Sequence, residues 1–316
     1  MGIMPGMTAS PDISVNLGGI KLPGPVLLAS GTAGYGEELA SRTDMGVLGG
    51  IILKSVTLEP REGNPPPRLV ETPAGMLNSI GLQNVGVEAF IREKMPFLRT
   101  LGIPVIANVA GRSMGDYGET CMRLAEVEGL SGVELNISCP NVKKGGMEFG
   151  TDPGLAEEVT RMAKKAIKVP LIVKLSPNVT DITAIAKAVR NGGADAVALI
   201  NTFLGMAIDT ARRRPVLGMG AGGLSGPAIR PLAVRCVWQV RKAVEVPILG
   251  LGGIINATDA MEFILAGASA VAVGTGSFID PGTAARVTEG IREYCRQAGV
   301  SSLGELVGAA HAGTKA

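Results

Sequence analysis

Eight short apolar runs, each followed by a longer amphipathic stretch, set the tightest limit on what this chain can fold into. The runs are Val26–Ser30, Gly50–Ser55, Pro104–Ala110, Gly132–Ser138, Pro170–Ser176, Ala196–Thr202, Val246–Gly252 and Ala270–Thr275. Each is continuous rather than alternating and is bounded by Gly, Pro or polar residues, the pattern of parallel strands covered on both faces. Between them the helical period predicts Glu37–Met45, Val85–Leu101, Asp116–Gly129, Pro153–Ile167, Asp181–Asn191, Ser225–Val244, Thr258–Ala266 and Pro281–Ala298. Asp152 with Pro153, Thr180 with Asp181, and Ser225 read as helix starts; Gly192, Gly267 and Gly299 read as stops. Eight strand–helix units with none to spare are the count of an α/β (β/α)8 TIM barrel, whereas a doubly wound open sheet more often has fewer.

The remaining segments fit around that frame. A hairpin, Ile13–Asn16 and Ile20–Leu22 around Gly18 and Gly19, is expected to plug the barrel floor, and the tail after Gly299 to add a short helix. Long insertions follow strands 2, 4 and 6. The one from Val56 to Asn84 holds Asn64-Pro65-Pro66-Pro67 and two strand-like pieces, and the one from Phe203 to Leu224 holds Arg212-Arg213-Arg214 and a run of glycines. Long loops in compact domains are usually functional or disordered, and these leave the C-terminal ends of strands, where barrel enzymes do their chemistry. With no linker or low-complexity segment, residues 1–316 read as a single barrel domain.

Composition narrows the function classes. A hydrophobic content of 46% against 18% charged residues supports a large core, and a net charge of +2 with 3% aromatics offers neither a basic groove nor a base-stacking platform for nucleic acid. The N-terminus lacks a basic and an apolar region, so no signal peptide is read, and no apolar stretch is long enough to span a bilayer. The four cysteines, Cys121, Cys139, Cys236 and Cys295, form no CxxC pair, which suggests a reduced cytoplasmic protein without a metal or iron–sulfur motif of its own. A mean hydropathy of +0.30 is high for a free monomer.

The informative residues are polar ones that close otherwise apolar runs: Ser30, Lys54 and Ser55, Asn108, Asn136, Ser138 and Cys139, Lys174, and Asn201 and Thr202. One strand-ending Asn or Ser usually caps a loop. Six strands ending this way on one rim call for a polar ligand in the barrel mouth, because buried amides and ammonium groups need partners. Strands 7 and 8 end instead in Gly250-Leu-Gly252-Gly253 and Gly274-Thr275-Gly276, the two positions where barrels commonly bind phosphate through backbone N–H groups. Gly218, Gly220 and Gly223 also spell GxGxxG, but no clear strand precedes them, so a dinucleotide fold is rejected. Arg212-Arg213-Arg214 reads as solvated loop charge, and Met45, Met95, Met122, Met162 and Met261 as core.

The single histidine, His311, lies in the tail, which leaves Cys139 and the two lysines as candidate bases on the rim. A thiol on a polar loop can be tuned toward thiolate by nearby cations or N–H donors. Cys121, Cys236 and Cys295, in helix-like segments, read as small buried hydrophobes.

At this point the residues resemble a known family. Glu134-Leu-Asn-Ile-Ser-Cys-Pro-Asn141, Asn78-Ser-Ile-Gly-Leu-Gln-Asn84, Lys54-Ser55, Val173-Lys-Leu-Ser-Pro177, Ile200-Asn-Thr202, Gly222-Gly-Leu-Ser-Gly226, Gly252-Gly253 and Gly274-Thr275 occur in the order of class 1 dihydroorotate dehydrogenases. The continuation Val142-Lys-Lys-Gly-Gly-Met-Glu-Phe-Gly150 is similar to subclass 1B, the catalytic subunit of the NAD-linked enzyme. Cys at this loop separates it from the membrane-associated class 2, which has Ser as base.

The resemblance implies oxidation of dihydroorotate to orotate in de novo pyrimidine (UMP) biosynthesis, with hydride passing from C6 to flavin N5 and Cys139 removing the C5 proton. One FMN would be held by Ser30, Lys54, Ser55, Asn108, Asn136, Lys174, Ile200, Gly226, Gly252, Gly253, Gly274 and Thr275, with Lys174 near N1 and O2 of the ring. Substrate would meet Lys54, Asn78, Ser79, Ile80, Gly81, Leu82, Asn136, Asn201 and Thr202. Amides suit a ring with both N–H donors and C=O acceptors, and Lys54 suits its carboxylate. The resemblance also implies a homodimer of this chain within a cytoplasmic heterotetramer, whose second subunit carries FAD and a [2Fe–2S] cluster. Three rivals share part of the pattern: a fumarate-reducing class 1A enzyme, a dihydropyrimidine dehydrogenase-like FMN barrel and, from a different class, a Schiff-base aldolase using Lys174.

Overall fold

The computed structural model describes residues 10–138 and 149–313. Eight parallel strands close into a barrel: β1 (Val26–Leu28), β2 (Gly50–Ile52), β3 (Val105–Val109), β4 (Gly132–Asn136), β5 (Leu171–Lys174), β6 (Ala196–Leu199), β7 (Ile248–Leu251) and β8 (Ala270–Val273). Each strand pairs with its neighbours in sequence, and β8 returns to pair with β1. All eight fall inside the apolar runs but stop short of their polar ends. Ser30, Lys54, Ser55, Ser138, Asn201 and Thr202 therefore sit just past the ladder, while Asn108, Asn136 and Lys174 occupy its last rungs.

Helices follow the strands as the periodicity predicts: α1 (Glu37–Ala40), a composite helical segment over 87–101, α2 (Met114–Leu124), α3 (Pro153–Ala166), α4 (Ile182–Asn191), α5 (Arg230–Arg241), α6 (Ala257–Ala266) and α7 (Thr283–Ala298). Asp152 and Asp181 cap as read, their carboxylates accepting from the N–H groups of Leu155 and Thr183, and Gly192, Gly267 and Gly299 occupy C-caps. Three expectations are corrected. Ser225 does not start a helix; it ends the strand Ala221–Ser225, where its backbone pairs with Met76, and α5 begins only after the turn Pro227–Ile229. The first helix is shorter than Glu37–Met45, because Asp44 accepts from the Gly46 N–H and opens a separate 3-10 turn. Met122 is 58% exposed on α2 rather than core, although Met45, Met95 and Met261 are buried.

Strand parity explains what the barrel holds. Residues pointing outward, such as Val133, Leu135 and Val173, pack against the helices, while Leu27, Ile52, Ile106, Ile172, Ala196, Ala198, Leu249, Leu251, Ala270 and Ala272 point inward. The N-terminal hairpin, Val15–Leu17 paired antiparallel with Ile20–Leu22, sends Leu17, Ile20 and Leu22 into that inner cluster and closes the floor. One layer higher the interior becomes polar, through Asn108, Glu134 and Lys174.

The two long insertions meet. Phe203–Met206 and Ala221–Ser225 from the second join Leu69–Thr72 and Gly75–Asn78 from the first in one four-stranded antiparallel sheet. Gly222, inside the GxGxxG stretch but not one of its three motif glycines, serves this contact: a Cβ there would lie 2.6 Å from the Asn78 carbonyl oxygen. Arg212, Arg213 and Arg214 are exposed, as read. Among the described residues no helix is long and apolar enough to cross a membrane.

Candidate active site

The C-terminal rim is built from residues that the ladder carries to the same height. Asn108 pairs in register with Glu134, and Asn136 with Lys174, so inward-facing polar groups of β3, β4 and β5 converge. The Ser55 hydroxyl donates to Asn108 Oδ1 at 2.5 Å, and Asn108 Nδ2 donates to Glu134 Oε1 at 2.6 Å. Lys174 Nζ lies 4.0 Å from the same carboxylate oxygen and donates to Ser30 Oγ at 3.2 Å. Ser30 follows β1, which stands opposite β5 in the closed order, so this bond reaches across the mouth.

A second chain of bonds runs beside the first. Asn201 Nδ2 and the Ser138 N–H both donate to Asn136 Oδ1 at 3.3 Å, the Ser138 hydroxyl donates to the Lys174 carbonyl, and the Thr202 N–H donates to Asn201 Oδ1. Tyr117 on α2 donates its hydroxyl to the Asn136 carbonyl at 2.7 Å. Asn178 donates to the Thr202 carbonyl at 3.0 Å, fixing the start of the second insertion. Ile200 is 3% exposed with its N–H committed to the Leu251 carbonyl, so its side chain belongs to the core.

Lys54 is half-buried at the mouth. Burial pushes its amine below the usual lysine range; the Arg68 charge adds to this and the Glu38 carboxylate opposes it. Beside it, Asn78–Leu82 leaves the antiparallel sheet as a pinned loop. Asn78 Nδ2 donates to the Gly223 carbonyl, Asn64 Nδ2 to the Ser79 carbonyl and hydroxyl, and Asn84 Nδ2 to the Leu82 carbonyl.

On the far side the rim changes character. Gly252, Gly253, Gly274 and Thr275 are partly exposed, while Gly226 is buried next to Gly75. Gly253 has φ +78°, and a Cβ there would lie 2.7 Å from the Gly226 carbonyl oxygen, so only glycine fits. The Thr275 hydroxyl donates to Ser225 Oγ at 2.8 Å, tying the β8 loop to the antiparallel sheet.

The sequence matches the dihydroorotate dehydrogenase family over residues 12–295. The chain belongs to the dihydroorotate dehydrogenase family. Its relatives include the catalytic subunits named dihydroorotate dehydrogenase B (NAD(+)) of Geobacter sp. (strain M21), 56% identical over 95% of this chain and 98% of that one, and of Geotalea daltonii, 56% identical over 95% and 99%. The subunit of that name from Desulforamulus reducens is 54% identical over 95% of this chain and 99% of its own. The subclass 1B resemblance is thus matched along almost the whole chain, which is an oxidoreductase of an FMN-dependent family.

The rim suits the family's cofactor. A flavin has one pyrimidine edge of alternating donors and acceptors, and strands β2 to β5 present hydroxyl, amide, carboxylate and ammonium groups together. Glu134 Oε2 is buried without a hydrogen-bond partner among the described residues, an acceptor they leave unmet. The glycine-lined side, where strands β7 and β8 end, suits a phosphate tail.

Of the site residues named from sequence, the described structure brings Ser30, Ser55, Asn108, Asn136, Lys174, Asn201 and Thr202 into linked hydrogen-bond chains. It places Lys54, the Asn78–Leu82 loop and the glycine loops on the same face. Cys139 lies outside the described residues; Ser138, the residue before it, is on the rim. Sequence reasoning passed over Glu134, although it shares the inward parity of Asn136 two residues on, and over Tyr117 and Asn178, whose roles depend on tertiary contacts. The other cysteines are poor bases: burial pushes the Cys121 thiol up to about 12 and raises Cys236 and Cys295 as well. His311 stacks on Trp238 and bonds the Ala266 carbonyl at the end of α6, away from the rim.

Proposed function

We propose that this chain oxidises dihydroorotate to orotate in pyrimidine biosynthesis, as the FMN-holding catalytic subunit of an NAD-linked enzyme. The observation that carries the reading is the 56% identity over 95% of the chain to catalytic subunits of that name. The polar half of the barrel mouth supports it independently. FMN would be held by Ser30, Lys54, Ser55, Asn108, Asn136, Lys174, Ile200, Gly226, Gly252, Gly253, Gly274 and Thr275. When bound, it supplies the two-electron acceptor that no amino-acid side chain provides.

The chain's own residues bind, orient and deprotonate. Lys54 meets the substrate carboxylate, and Asn78, Asn136 and Asn201 take the ring's donors and acceptors, with Ser79–Leu82 and Thr202 shaping the pocket. Because Asn201 already donates to Asn136 Oδ1, the two amides are set relative to each other before substrate arrives. Cys139 removes the proton at substrate C5. A small thiol on the strand-4 loop suits that role because its ordinary ionisation range lies close to neutral pH. Electrons leave through a second polypeptide carrying FAD and a [2Fe–2S] cluster, in a heterotetramer built on a homodimer of this chain in the cytoplasm; the relatives' designation as catalytic subunits supports a partner.

The test uses the purified chain loaded with FMN. Dihydroorotate is expected to bleach the flavin absorbance without oxygen, Cys139→Ser to slow bleaching at neutral pH by about two orders of magnitude or more, and NAD to leave the reduced lone chain unoxidised. A Ser variant as fast as wild type ends the base assignment. Full-rate NAD reduction by the lone chain ends the partner assignment.

A further inference from the structure

We infer that Glu134 is a positioning residue that sets the hydrogen-bond polarity of the barrel mouth, orienting the Asn108 amide and the Lys174 ammonium toward the flavin. The inference rests on the FMN reading above and adds a residue that it does not use.

Glu134 stands one layer below the rim and is 0% exposed, on a strand position that in an ordinary barrel holds a branched apolar residue. A buried carboxylate is costly unless it is paired and hydrogen-bonded, so its presence here needs a reason. Three observations give it one. Its Oε1 accepts from Asn108 Nδ2 at 2.6 Å and faces Lys174 Nζ at 4.0 Å, while Oε2 is buried and has no partner among the described residues.

These contacts carry a direction. An ionised carboxylate only accepts, so it draws the NH2 end of Asn108 toward itself and turns Oδ1 toward Ser55. Ser55 then spends its proton on Asn108 at 2.5 Å and can offer a ligand only lone pairs. Lys174 spends one proton on Ser30 and leans toward Glu134, so what it offers a ligand is donors. Glu134 thereby fixes Ser55 as an acceptor and sets a negative charge beside the Lys174 ammonium, which can only donate. A neighbouring carbonyl and N–H on a pyrimidine-like edge match that pair of groups.

Removing the carboxylate's charge while keeping its shape has a signed consequence. Glu134→Gln adds one net positive charge beside the reduced, anionic ring, in a setting where charges are poorly screened. It is expected to shift the two-electron reduction equilibrium of bound FMN at least tenfold toward the reduced form, about +30 mV in midpoint potential. Glu134→Asp keeps the charge but withdraws it by one methylene from Asn108. It is expected to leave the potential near wild type and to weaken FMN binding about tenfold, read by flavin fluorescence titration of the apo-chain. A Gln variant that loads fully with FMN at an unchanged potential would overturn the inference. So would an Asp variant binding FMN as tightly as wild type, whether or not the Gln variant folds. A wild-type chain that binds no FMN would overturn the underlying functional reading instead.

Discussion

At the C-terminal end of β2, Lys54 shows how one side chain links burial to function. Desolvation lowers the proton affinity of its amine in the folded chain. Between that depressed value and the unfolded lysine value of about 10.4, the unfolded chain binds more protons. Stability therefore rises with pH across that window, and at neutral pH the half-buried ammonium is a net cost. Lys54→Met is expected to raise the melting temperature at neutral pH and to increase KM for dihydroorotate roughly 30- to 100-fold, the loss of about 2–3 kcal/mol from a charge-assisted contact. In the wild type, substrate affinity should decline at a lower alkaline pH than an ordinary lysine would set. A melting temperature lowered by the substitution would show that Lys54 is satisfied within the chain.

The element that most shapes the site is the junction between the β7 loop and the antiparallel sheet. The two long insertions were recognisable as functional loops, yet nothing in their residues announced that they pair with each other, since such pairing depends on contacts far apart in the chain. Gly253, facing the Gly226 carbonyl, marks the closest approach. Gly253→Ala is expected to weaken FMN binding at least about tenfold, because the new methyl group must push the loop aside at a backbone angle that costs roughly 1–3 kcal/mol by itself. Gly102→Ala serves as the control, with φ +66° but no atom within 4 Å of a new Cβ. It should lose the roughly 1–3 kcal/mol of stability that the backbone angle costs and bind FMN normally. Equal FMN affinity in the two variants would count against the glycine loop as a cofactor contact.

For the whole molecule, the barrel divides into a floor that stabilises and a mouth that acts. Leu17 from the hairpin is fully buried among inward-facing residues of the strands. Leu17→Ala is expected to cost about 2–5 kcal/mol in denaturant unfolding, as buried leucine truncations do, while leaving FMN affinity of the folded protein within about twofold. If FMN affinity fell in parallel with stability, floor and mouth would be coupled rather than layered.

The order of elements was legible from the chain because it depends on local patterns: continuous apolar runs, helical periodicity, and Asp or Gly at helix ends. The candidate site was legible as a list for the same reason, since polar residues closing apolar strands are visible without a structure. Tertiary structure decided the rest. Glu134 was visible as the one charged residue in its apolar run, but its partners were not, until the ladder placed it against Asn108 and Lys174. Ser225 looked like a helix cap until Met76, 149 residues away in sequence, claimed its backbone for a strand. Local sequence sets what each segment can become, whereas a hydrogen bond between distant residues exists only after the barrel has closed and brought them to the same height.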